Sequence, residues 1–208
     1  NHSLVPVADT RVPTHSVFDH LHATSALVNW LVCDDEPRGY FVKIDIPGIQ
    51  DIISKARKAS DLWAGSWIIS YLTFKTVEPL ALRYGADLIL EPFMGLNPFF
   101  VSMVIKKLEE SEDYKLCPKY KNAVERIKKI IPESLRTPYQ PMMPGTVYLM
   151  LPPSIFPNRD SVVSELKKNY VDAWQNLVKA VKEVMPEIPI HVLNDVNIDK
   201  HPIAPLKV

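Results

Sequence analysis

Asp45, the turn Pro47-Gly48-Ile49-Gln50 just after it, and the neighbouring cations Arg57 and Lys58 are the residues whose types and spacing could do chemistry. Asp45 ends a segment that reads as a strand, from where a carboxylate can reach a divalent cation. Alone it makes a poor Mg²⁺ site, because the strand expected beside it, Val147 to Leu151, brings no second carboxylate. Capping the following helix is its other use. At Pro47, Gly48, Ile49 and Gln50 strand gives way to helix, and the free backbone N–H groups of such a turn, with a helix dipole behind them, suit a triphosphate. The same four residues also fit a tight turn that merely packs helix on sheet. Arg57 and Lys58 could meet phosphate or lie solvated on an exposed face. Ser66, with Ala64 and Gly65, is small enough to admit a ligand, with close helix packing as the alternative. Trp63, Trp67 and Trp174 fall at helical spacing on apolar stripes and are expected in the core.

The elements that must position these residues follow from periodicity. A helix is expected over 13–32, with Thr14 as N-cap and Val17, Leu21, Leu27, Val28 and Leu31 on its apolar face. Tyr40 to Ile46 alternates as a strand, stopped by Pro47-Gly48. From Ile49 the period becomes helical through Leu72, a helix of about twenty-five residues that Pro79 should end or kink. Residues 86–90 read as a second strand, 99–110 as a helix, 118–131 as an amphipathic insertion and 146–151 as a third strand. A second long helix over 160–185 and a fourth strand over 188–193 complete the order. This is an α+β pattern, the ferredoxin-like split βαβ, in which two helices cover one face of an antiparallel sheet. An N-terminal helical fragment, 1–36, precedes the domain at 37–196; its helical insertion spans about 112–145, and a tail runs over 197–208.

Composition excludes several classes. With 47% hydrophobic and 23% charged residues the chain is globular in character. Lys plus Arg and Asp plus Glu total 24 each, so the general basic field of a stand-alone nucleic-acid binder is missing, although a local basic patch remains open. Cys33 and Cys117 form neither a disulfide framework nor a metal knuckle, which fits a reducing, cytoplasmic setting. No apolar run is long enough to cross a bilayer, so no membrane partner is expected. The 19 prolines crowd into 132–157 and 186–205 and force extended connections there. Beginning without Met, the sequence reads as part of a longer polypeptide.

The segment Ile44-Asp45-Ile46-Pro47-Gly48-Ile49-Gln50-Asp51-Ile52-Ile53, continuing through Arg57, Lys58, Asp61, Leu62, Trp63, Gly65 and Ser66, resembles the first palm strand and helix of the large subunit of type III CRISPR effector complexes, especially the Cmr-type form. Leu88 to Phe99 resembles that family's second strand and following loop, with Met94 where an arginine is expected. Val7 to Leu21 resembles the close of the HD nuclease-like domain ahead of the palm, which assigns 1–36 to the end of an HD-type domain. There His15, Asp19, His20 and His22 offer metal-ligand chemistry, and His20, just ahead of Ala23-Thr24, is the single candidate chosen; the His-Asp dipeptide itself is absent.

The resemblance implies ATP held between two facing palms and synthesis of cyclic oligoadenylate when target RNA binds. It also implies partners: the other subunits of an antiviral CRISPR ribonucleoprotein, with guide and target RNA contacted indirectly. Catalysis there needs a Gly-Gly-Asp-Asp hairpin in the second palm, whose carboxylates hold Mg²⁺ or Mn²⁺. This sequence has none, so no catalytic residue is expected and the chain reads as the non-catalytic first palm. A structural interaction domain that binds no nucleotide is the rival reading. An independent cyclase is disfavoured by the missing carboxylate pair.

Overall fold

The computed structural model describes residues 16–31, 38–187 and 204–208. Helix α1 (Val17–Leu31) begins at Ser16, where a reciprocal cap forms: the Asp19 backbone N–H donates to Ser16 Oγ at 3.1 Å while Ser16 N–H donates to the Asp19 carboxylate at 3.0 Å. Strand β1 (Tyr40–Asp45) leads through a turn into the short helix α2 (Ile49–Ile53) and then the long helix α3 (Ala59–Tyr84). Strand β2 (Ile89–Glu91) is followed by helix α4 (Pro98–Glu110), the insertion helices α5 (Glu112–Leu116), α6 (Pro118–Ile130) and α7 (Glu133–Arg136), strand β3 (Thr146–Leu151) and helix α8 (Arg159–Val184).

The sheet order is β1-β3-β2, with β3 antiparallel to both neighbours, so β1 and β2 run parallel with β3 inserted between them. That is the split βαβ arrangement, and α3 and α8 pack on each other over one face of the sheet. At the outer edge of β1, Asp45 and Lys207 exchange two backbone hydrogen bonds of 2.9 Å, antiparallel, as a fourth strand of this fold would. The segment expected as that strand, 188–193, lies outside the described residues, as do Thr14 and His15.

Alternation along the strands divides the sheet into two faces. Ile44, Val147, Leu149, Leu151 and Ile89 enter the main core, where they meet Leu72, Phe74, Val77 and Leu80 from α3 and Leu166, Tyr170 and Trp174 from α8. Polar residues on α3's buried side are satisfied locally. Thr73 and Thr76 donate to the carbonyls of Ile69 and Leu72, and Ser70 Oγ donates to Met143 O at 2.7 Å. Among the described residues no helix is long and apolar enough to cross a membrane.

Three expectations change. The helix expected without interruption from Ile49 to Leu72 is broken at Ser54–Lys58. Lys58 is extended (φ −135°, ψ 160°), and the Asp61 carboxylate accepts the Arg57 N–H at 3.3 Å, capping α3 from inside its first turn. Pro79 does not end α3: it lacks one N–H, but buried Val77, Leu80 and Ala81 carry the helix on to Gly85, whose φ of 106° stops it. Residues 86–88 form a 3₁₀ turn, so the second strand starts at Ile89.

Two stability predictions arise here. Asn97, 3% exposed, caps α4 by accepting from the N–H groups of Phe99 (3.0 Å) and Phe100 (3.4 Å). Asn97→Ala is expected to lower the unfolding free energy by about 1–2 kcal/mol in urea denaturation. Asn97→Asp keeps the cap acceptor but loses the Nδ2 donor to Met142 O and buries a carboxylate against that carbonyl, so it should destabilise as well.

Tyr170 is buried in the main core and donates its hydroxyl to Ala204 O at 2.8 Å; burial pushes its pKa from 10.0 up to about 12. The folded state therefore holds this proton more tightly than the unfolded chain. Its contribution is complete below the unfolded value of 10.0 and is lost as pH rises through about 12. The loss is on the order of 2 kcal/mol. Urea midpoints measured at about pH 9 and about pH 11.5 should fall more steeply for the wild type than for Tyr170→Phe; parallel decline would refute the assignment.

Candidate functional site

The end of β1 and the turn after it bring Asp45, Pro47, Gly48, Ile49 and Gln50 together at one end of the sheet. Gly48 is the pivot, with φ 78° and ψ 12°, in the left-handed region that favours glycine. Its carbonyl accepts from Ile52 N–H at 3.2 Å and starts α2. Gly145 lies against the turn: its carbonyl accepts from Ile46 N–H at 3.0 Å, and an added Cβ would collide with the Ile49 side chain. Gly48 and Gln50 are exposed, so the bend is open to solvent. Helix α2 is only five residues long, however, so the dipole behind the turn is that of little more than one helical turn.

Asp45 lies on the sheet face opposite the main core, in line with Phe41 and Lys43. Its carboxylate accepts from Thr146 Oγ1, directly across the sheet, at 2.7 Å. Beside it, Phe41 and Tyr148 stack with centroids 5.7 Å apart and planes 22° from parallel, and Phe41 is 57% exposed. Met150 shares this face but is buried, where α1 packs against β3 and β2. The open part of the face thus presents an aromatic pair, a cation and a carboxylate. The sequence located Asp45 but missed Thr146, Phe41 and Tyr148. Strand alternation could have put Phe41 on the side of Asp45, but only the register pairs Phe41 with Met150 and Lys43 with Tyr148.

The other candidates spread out. Arg57 and Lys58 are exposed in the break between α2 and α3. Ser66 stands two turns into α3, about 10 Å along the axis from Ala59, and its hydroxyl donates back to Leu62 O at 2.9 Å. Trp63 is 49% exposed, against the expectation of a core residue, because α3 begins before it reaches the sheet. Trp67 is half-buried, with Nε1 donating to Pro138 O at 2.7 Å, and Trp174 is buried.

His20 lies on α1, which packs on the β2 and β3 side of the sheet. Its neighbour His22 has Nε2 at 2.6 Å from Ile89 O and its ring edge-on to Phe93, which makes it a packing residue. Among the described residues no three His, Cys, Asp or Glu side chains gather where a metal ion could be held. A separate groove of about 380 Å³ between α3 and α4, floored by Trp67, Tyr71, Phe74 and Phe99, shares none of the turn residues.

Comparison with known proteins places this geometry in context. Residues 41–179 match the family model for the CRISPR-associated protein Cmr2, N-terminal. The CMR subunit Cmr2 of Saccharolobus solfataricus is 33% identical over 197 residues, taking in 84% of this chain and 18% of that protein. The Cmr2 subunit of Pyrococcus furiosus is 34% identical over 98 residues, 47% of this chain and 10% of that protein. The chain thus spans less than a fifth of the length of either relative. A chain in the cryo-EM structure of type III-B Cmr-beta in the apo state superposes with a TM-score of 0.77 at 27% identity, covering 96% of this chain and 22% of that one. A chain of type III-B Cmr-beta bound to cognate target RNA gives 0.72 at 30% identity, covering 97% and 22%.

Proposed function

The chain belongs to the family of the CRISPR-associated protein Cmr2, N-terminal, and from that premise we propose that it is the non-catalytic first palm of a type III CRISPR large subunit and forms one wall of an ATP pocket. The observation that carries this reading is the exposed turn at Gly48, set at the end of a strand whose open face also bears Asp45. The backbone N–H groups of Ile49 and Gln50 are the donors for phosphate, and Arg57 and Lys58 supply positive charge nearby. Phe41 and Tyr148 offer a flat apolar surface against which a base can stack.

Asp45 contributes one carboxylate towards a divalent ion. One oxygen donor does not make a Mg²⁺ or Mn²⁺ site, so the remaining ligands would have to come from ATP itself and from a second palm. The bound ion would supply charge neutralisation for the transferring phosphoryl group. The product of the complete subunit would be cyclic oligoadenylate, and its setting an antiviral ribonucleoprotein assembled from further subunits with guide and target RNA.

Calorimetric titration of ATP with Mg²⁺ tests the shared pocket. Binding by the full-length subunit and none by residues 1–208 alone is the expected result. Absence of binding in both would favour the rival reading, a structural interaction domain. That reading draws on the shortness of α2.

A further inference from the structure

Helix α6, in the insertion, carries five basic residues against one acidic, in a chain whose charges balance only when this helix is included. Its inward side is accounted for. Val124 is buried, and Lys128 Nζ lies 2.6 Å from Glu109 and 3.1 Å from Glu125. Glu125 also accepts the Tyr114 hydroxyl at 2.6 Å, and that bond, followed by the one from Lys128, holds its carboxyl below the usual range. Glu110 lies 3.8 Å from Lys106 and 3.3 Å from Lys107. The neighbouring carboxylates are therefore engaged by cations of the inner side and of α4.

The outward side is different. Lys119, Asn122, Arg126 and Lys129 recur at steps of three, four and three, which places them in one row along the helix. All four are exposed, and none has a hydrogen-bond or ion-pair partner among the described residues. The row runs about 15 Å. A linear array of unpaired cations with one amide among them matches a polyanion of repeating charge. Lysine is depleted in protein–protein interfaces, whereas phosphate backbones are bound by lysine and arginine. We propose that the Lys119–Asn122–Arg126–Lys129 face of α6 binds the phosphate backbone of single-stranded RNA, without reading its sequence.

This proposal is independent of the ATP pocket, which lies on other elements. It is tested in the full-length subunit by fluorescence anisotropy with a labelled single-stranded RNA of mixed sequence, over a range of KCl concentrations. The variant Lys119→Gln/Arg126→Gln/Lys129→Gln removes the charges without adding strong helix breakers. Its RNA dissociation constant should rise about tenfold or more, and the slope of log K against log salt should shrink by about 2, for three lost phosphate contacts.

A control pair on the exposed side of α8, Lys167→Gln/Lys168→Gln, should leave both quantities unchanged. If the triple variant proves unstable by thermal melting, Lys129→Gln alone should still reduce the slope by about 0.7. Unaltered affinity and slope would overturn the proposal. So would an equal loss in the control pair, or lost binding of a purified acidic partner subunit with RNA affinity intact.

Discussion

Phe74→Ala is expected to cost about 3–5 kcal/mol of unfolding free energy and to lower the melting temperature by on the order of 10 °C. Phe74 is 2% exposed, sits 5.6 Å centroid to centroid from Phe99, and joins α3 to the core shared with the sheet. Truncation removes its transfer free energy and leaves a space the packed neighbours fill only in part. The loss is a large share of the net stability of about 5–15 kcal/mol usual for a domain. Trp63, on the same helix and larger, is 49% exposed, and Trp63→Ala should cost under about 1 kcal/mol. Differential scanning calorimetry of the two variants compares them directly. Equal shifts would mean that α3 is seated differently on the sheet.

The contrast between Phe74 and Trp63 shows where the sequence could be read and where it could not. Periodicity reports which side of a helix is apolar, but not where along its length the helix meets the sheet. α8 was legible almost to the residue, from Arg159 to Val184, because Leu166, Tyr170 and Trp174 keep one face. Yet its last turns outrun the core, leaving Val181 and Val184 37% and 81% exposed.

The break at Ser54–Lys58 was illegible for a related reason. It contains neither proline nor glycine, and Ile49 and Ile52 pack against the same core that α3 covers, so the apolar period runs straight through it. What ends α2 is local: Lys55 and Ala56 bond back three residues, and the Asp61 carboxylate takes the Arg57 N–H. At the candidate site, residue types marked Asp45 and the Gly48 turn. The cross-strand partners Thr146 and Tyr148 lie more than a hundred positions away in the chain and became visible only through the register of β1 on β3.

Gly48→Val is expected to weaken ATP binding by the full-length subunit roughly tenfold or more while leaving the fold intact. At φ 78° the backbone of Gly48 is in a region that costs an ordinary L-residue about 1–2 kcal/mol, and more for a β-branched side chain. Space is not the obstacle: the nearest atom to an added Cβ is an Asp51 carboxylate oxygen at 4.0 Å. The penalty is therefore conformational, and the turn can relieve it only by swinging its peptide planes, which re-aims the N–H groups of Ile49 and Gln50. Asparagine tolerates the left-handed region, so Gly48→Asn should keep ATP affinity within about threefold of the wild type. A stability effect alone would lower the melting temperature of the valine variant and leave ATP affinity at low temperature unchanged, because the folded fraction would still be near one. Ligand positioning by the turn instead predicts that affinity follows the backbone preference of residue 48, in the order glycine, asparagine, valine. Three equal dissociation constants would remove the turn from the ATP pocket.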